Sequence, residues 1–136
     1  RKVLQVATPD GMVDLTLMLW DLAGHGEGGR VVPGYYRGAA GAIIVCDVTR
    51  PETLPGLGYH AHRFLAMNLG AQVVMAANKA DLVDKRCVSD EELAAAALEH
   101  EAPLFLTSAK TGEQVEAMFE RLGLLLVTGA GSQKRP

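Results

Sequence analysis

Two hydrophobic periods alternate along the chain. Val3–Thr8 and Asp14–Trp20 read as half-buried strands. In the second, Leu15, Leu17 and Leu19 share one face, and Thr16 and Met18 fall on the other. Pro9-Asp10-Gly11 between them is a turn sequence, so the pair predicts a hairpin. Ala42–Cys46 is an unbroken apolar run closed by Asp47, the pattern of a strand buried on both faces. Gln72–Ala77 and Leu104–Thr107 predict two more buried strands. A helix is expected after Asp47, with Pro55, Gly56 and Gly58 spoiling its first turns and Gly70 stopping it. Its better-formed part is marked by Ala61, Phe64, Leu65 and Asn68. Ser89-Asp90-Glu91-Glu92 is a capping box opening a helix to about His100, and Pro103 ends it. Thr111-Gly112-Glu113-Gln114 predicts a second capping box. Val115, Met118, Phe119 and Leu122 then recur at i, i+3, i+4 and i+7 on the last helix. Asp21–Gly34 carries Gly24, Gly26, Gly28, Gly29 and Gly34 together with Pro33, and predicts a mobile loop. The polar stretch 129–136 predicts a flexible tail.

Strands alternating with helices predict an α/β domain with a mainly parallel sheet. In such sheets ligands sit beyond the carboxyl ends of the strands. The chain has 136 residues, enough for one domain, taken as 1–128 ahead of the tail. Charge narrows the picture: 13 Lys and Arg against 16 Asp and Glu leave a net −3, which argues against a non-specific nucleic-acid binder. No apolar run approaches the roughly 18 residues of a membrane span. Cys46 and Cys87 lie far apart and match no ligand or disulfide spacing. They fit a reducing compartment, and a cytoplasmic location is expected. Cys46, within a strand, reads as core. His60 and His62, two apart on a helix, point to opposite sides and read as surface residues rather than a metal pair.

The candidate chemistry falls at strand ends. Asp21-Leu22-Ala23-Gly24 follows one strand: a carboxylate there can hold Mg²⁺ through water, and a glycine three residues on lets a backbone N–H approach a phosphate. Asp-x-x-Gly is also a common turn. Asn78-Lys79-Ala80-Asp81 follows another strand. The Asp81 carboxylate could accept two parallel hydrogen bonds from the N1–H and N2 amine of guanine, a pair adenine lacks. Asn78 could tie the loop to its neighbours, and Lys79 could lay its alkyl stem across a base face. Ser108-Ala109-Lys110 follows the third strand. There Ala109 permits a backbone N–H to reach a base carbonyl, and Lys110 could cover the other ring face.

In order and spacing, these segments resemble the Ras-superfamily small GTPases, most closely the Rab branch. Leu19-Trp20-Asp21-Leu22-Ala23-Gly24 is similar to the family's Trp-Asp-Thr-Ala-Gly, and Tyr35-Tyr36-Arg37-Gly38-Ala39 to the Rab-type Tyr-Tyr-Arg-Gly-Ala. Ile43–Thr49 resembles the following strand. Asn78–Leu82 and Thr107–Thr111 match the two guanine-recognition motifs. The resemblance runs from about Val3 to Leu126 and implies a G domain of the P-loop-NTPase type, with helices on both faces of the sheet. It implies a switch that binds GTP and GDP with Mg²⁺ and meets effector, exchange-factor and GTPase-activating proteins, as in vesicle trafficking. Asp21 would hold the Mg²⁺ water, and Gly24 would sense the γ-phosphate. Asn78, Lys79 and Asp81 would bind guanine with Ser108, Ala109 and Lys110. Trp20 and Tyr35 would belong to the surface effectors read.

The sequence also departs from the family. No Gly-x-x-x-x-Gly-Lys-Ser/Thr occurs in the 136 residues. The expectation is an N-terminally truncated G domain lacking the first strand, phosphate loop, first helix and first switch. Such a fragment should bind GTP poorly, be prone to aggregate and leave two inner strands without their partner. His25 stands where the family usually has the Gln that orients the attacking water. Histidine there usually slows hydrolysis in Ras-like proteins, yet an imidazole can position water near neutral pH, so the resemblance leaves both a slow switch and a different trigger open. Leu22 replaces Thr, and Gly26 replaces the usual Glu. The segment 129–136 has no cysteine for prenylation, so membrane association is expected only through a lipidated tail outside this chain.

Two alternatives follow from these departures and from the glycines. A pseudo-GTPase would keep the fold as a protein-binding scaffold without turnover. Gly24-His25-Gly26-Glu27-Gly28-Gly29 also fits the dinucleotide-binding Gly-x-Gly-x-x-Gly, with Asp47 ending the next strand as a ribose-binding acid. Pro33 and Gly34 oppose the helix that fingerprint should open, and it leaves Asn78–Asp81 and Ser108–Lys110 unexplained.

Overall fold

A computed structural model describes residues 1–19 and 37–129. The expected hairpin is present: β1 (Lys2–Thr8) runs antiparallel to β2 (Gly11–Leu17), with Leu4 opposite Leu15 and Thr8 opposite Gly11. The turn is therefore only Pro9-Asp10, one residue shorter than expected, and β2 starts three residues before Asp14. The Thr8 hydroxyl holds this turn, accepting the Asp10 N–H at 3.2 Å and donating to the Gly11 carbonyl at 2.7 Å. Gly11 opens the strand at φ +121, a value that favours glycine.

The second sheet is parallel, in the order β3-β4-β5, from β3 (Gly41–Asp47), β4 (Gln72–Asn78) and β5 (Leu104–Leu106). Gln72 through Ala77 are all buried, which explains why that run is continuously apolar after its first residue. β3 departs from the expected burial on both faces: Val45 is 57% exposed. Helix α3 (Val115–Thr128) explains this. Leu122 and Leu126 close over the start of β3 at Gly41, and Ile43 joins the same cluster, whereas Val45 lies beyond it.

Helix α1 (Pro55–Met67) corrects a second expectation, because its first turns are intact despite Pro55, Gly56 and Gly58. Proline at the first helical position lacks only an N–H that would have no helical partner, and its φ is already helical. Leu57, fully buried, then anchors that turn. The helix ends at Met67, before the expected stop at Gly70. Helix α2 (Asp90–Leu98) opens on the expected capping box. The Glu92 N–H donates to Ser89 Oγ at 3.1 Å, and the Ser89 N–H donates to Glu92 Oε1 at 2.9 Å. The second expected box does not form. Gln114 precedes α3 in the left-handed region with no side-chain cap. The Thr111 N–H donates instead to the Ser108 hydroxyl at 3.0 Å.

Helices cover both faces of the parallel sheet. α1 and α2 pack Leu57, Ala61, Phe64, Leu93 and Ala97 on one side, and α3 packs Met118 and Leu122 on the other. Among the described residues β2 and β3 share no ladder, and α3 joins the two sheets. A Cβ at Gly123 would come within 2.9 Å of the Leu4 side chain, so glycine lets helix and hairpin meet closely. No helix among the described residues is long and apolar enough to cross a membrane.

Candidate functional site

Parallel pairing brings three strand ends to one edge. Asp47 lies opposite Asn78, and Ala77 opposite Leu106, so the segments after β3, β4 and β5 converge. Backbone bonds join them: the Val48 N–H donates to the Asn78 carbonyl at 3.1 Å, and the Ala80 N–H to the Thr107 carbonyl at 2.9 Å.

Side chains complete the junction. Asn78 Oδ1 accepts from the Ala109 N–H at 3.0 Å and from the Thr107 hydroxyl at 3.2 Å, tying the β4 loop to the β5 loop. The Ser108 hydroxyl, fully buried, donates to Asp81 Oδ1 at 2.8 Å. Two short loops thus carry one polar network, and no buried side-chain polar atom among the described residues lacks a partner. Asn78, Lys79, Asp81, Leu82, Ala109 and Lys110 line a cavity of about 330 Å³. A larger concavity of about 380 Å³ at the amino ends of β3 and β4 offers no charged side chain, so the smaller one is the candidate site.

All six expected base-site residues in the two loops are therefore neighbours. Within this network the Ala109 N–H is engaged by Asn78 Oδ1. A carboxylate has about four lone-pair sites, so the Ser108 bond leaves Asp81 capacity for two more donors. The stems of Lys79 and Lys110 and the side chain of Leu82 suit a flat aromatic ring. Trp20, Asp21, Gly24, His25 and Tyr35 lie outside the described residues, as do the glycine-rich Asp21–Gly34 and most of the tail. Among the described residues, no group of three or more His, Cys, Asp or Glu could hold a metal ion.

In sequence Asp47 reads only as a candidate ribose-binding acid. The structure pairs its Oδ2 with Lys79 Nζ at 3.0 Å. Its Oδ1 accepts the Thr49 N–H at 2.9 Å and the Thr49 hydroxyl at 2.6 Å. The signal available in sequence was Asp-x-Thr at a strand end, an Asx-turn pattern. Burial pushes the Asp47 carboxyl upward, but Thr49 and the Lys79 ammonium together hold it below its ordinary 3.8. A folded value below the unfolded one adds stability above pH 3.8, lost as the pH falls through the folded value. Between those two values the urea midpoint of the chain should therefore fall more than that of Asp47→Asn. Burial, reinforced by the Asp47 charge, pushes the Cys46 thiol up to about 11, so it is a core thiol rather than a nucleophile.

Ser108→Ala removes one partner each from Asp81 and the Thr111 N–H. It is expected to cost about 1–3 kcal/mol. Urea unfolding would measure the loss, and an unchanged midpoint would show that the Ser108 bond contributes nothing.

The fold and its convergent loops define an α/β domain with a candidate binding site at the carboxyl edge of a parallel sheet. The Ras family matches residues 3–127 of the sequence, and the chain belongs to that family. Its members are small GTPases, nucleotide-binding switches that take GTP or GDP with Mg²⁺ and work through regulator and effector proteins.

Proposed function

We propose that the cavity between the β4 and β5 loops takes the guanine base of GTP or GDP and that the chain is a Rab-like switch. The observation carrying this reading is Asp81, the one carboxylate in the wall of a cavity otherwise lined by Asn78, two lysines, Leu82 and Ala109, and fixed by buried Ser108. A fixed carboxylate can accept from N1–H and the N2 amine together, which selects guanine over adenine. The phosphate end is assigned from sequence: Asp21 to a Mg²⁺-bound water, Gly24 to the γ-phosphate and His25 to the attacking water in hydrolysis. The magnesium ion would neutralise phosphate charge. Trp20 and Tyr35 would meet effector proteins, and the setting would be cytoplasmic vesicle trafficking.

Amide NMR tests the base site and detects even millimolar binding. GDP should shift the amides of 78–82 and 108–111, with ADP shifting them far less. Equal shifts with both nucleotides, or none with GDP, would overturn the reading.

A second reading rests on His25, Leu22 and Gly26, three departures beside the γ-phosphate position. It is a pseudo-GTPase that binds partners without turnover. Single-turnover hydrolysis of GTP by the full-length protein, with and without an activating protein, separates the two.

A further inference from the structure

Lys79 lines the base cavity, yet its ammonium is engaged by Asp47, which is not part of the lining. Asp47 is itself held from several directions. Thr49 binds Oδ1 through both its N–H and its hydroxyl. Thr53 Oγ1 accepts the Asp47 N–H at 2.9 Å, and its single proton is shared between the Arg50 carbonyl at 2.8 Å and the Asp47 carbonyl at 3.1 Å. The Asp47 side chain is only 14% exposed, against 50% for Lys79. Lys79 also sits at φ +70, a left-handed conformation that is uncommon for a residue other than glycine. A half-exposed ion pair adds little to fold stability. What this pair fixes is the direction of the lysine stem.

We infer that Asp47 is a positioning residue for base recognition: it anchors the Lys79 ammonium so that the lysine methylenes stand ready as one wall of the base cavity. The inference rests on the guanine-site reading above. A free lysine stem loses rotamer freedom when it packs against a ligand. Anchored to Asp47, the stem has lost that freedom before the ligand arrives, which raises affinity without any new contact. The pair also leaves neither charge unmatched beside an anionic nucleotide. Base selectivity stays with Asp81, so Asp47 should alter affinity and not the choice of base.

The test titrates the full chain with GDP and with ADP by amide NMR, comparing wild type, Asp47→Asn, Lys79→Met and the double variant. Asp47→Asn should weaken GDP binding about 5-fold and leave the guanine-to-adenine preference unchanged. In the Lys79→Met background the same substitution should have no further effect, because Asp47 acts through Lys79. An equal loss in both backgrounds would show a merely structural role and overturn the inference, as would unchanged affinity in Asp47→Asn. If Asp47→Asn does not fold, Thr49→Val removes the hydroxyl clamp but keeps the carboxylate. It carries the same comparison, with a smaller expected loss in wild type and none beside Lys79→Met. A wild-type chain that responds to ADP as to GDP, or to neither, defeats the guanine reading and this inference with it. That outcome shows before any substitution, so the two failures are told apart.

Discussion

Asp81→Asn should lower guanine-nucleotide affinity at least roughly 100-fold and turn the site toward xanthine nucleotides. The proposed carboxylate–guanine contact consists of two charge-assisted hydrogen bonds, each contributing about 1.5–3 kcal/mol. Asparagine presents one acceptor and one donor in place of two acceptors. Its amide N–H₂ would meet the N2 amine of guanine donor to donor. Xanthine carries a carbonyl at that position and keeps the N1–H, so it matches asparagine at both points. Ser108, whose hydroxyl holds Asp81 Oδ1 at 2.8 Å, can donate to an amide oxygen equally well, so the side chain should stay in place. Competition between guanosine and xanthosine diphosphates on both proteins would measure the exchange. An unchanged preference would remove Asp81 from base recognition.

The base-site loops were legible because each motif is contiguous and follows a strand whose pattern is plain. Gln72–Ala77 is buried throughout, so the loop that begins at Asn78 could be placed at a strand end from sequence alone. The Asp47–Lys79 pair was not legible in the same way. It depends on the parallel register that sets Asp47 opposite Asn78, and no single strand's pattern contains a register. The two capping boxes show how tertiary contacts override local signals. Ser89 to Glu92 forms its box, each side chain bonded to the other residue's backbone N–H. At Thr111 the buried Ser108 hydroxyl takes the Thr111 N–H, and left-handed Gly112 and Gln114 turn the chain out of the capping geometry. Val45 fails for a related reason. An apolar run says that a strand suits burial, but coverage depends on where α3 crosses it.

Leu57→Ala should cost about 2–5 kcal/mol of stability, because the cavity left at a fully buried leucine adds to the lost transfer energy. At about 0.05–0.15 kcal/mol per residue, a chain of this length has roughly 7–20 kcal/mol in all, so the change is a large fraction of the whole. Leu57 shares its cluster with Val48, Val88 and Leu93, which ties α1 and α2 to the segment just after Asp47. The same segment is clamped by Thr53, four residues before Leu57 and bonded to the Asp47 backbone. A cavity at Leu57 therefore loosens the ground on which Asp47 stands, and Lys79 with it. Urea unfolding should show a lower midpoint at an unchanged slope, and GDP affinity should fall by a smaller factor than in Asp81→Asn. A stability loss below about 0.5 kcal/mol, the range of an ordinary surface substitution, would show that α1 does not unfold together with the sheet beneath the site.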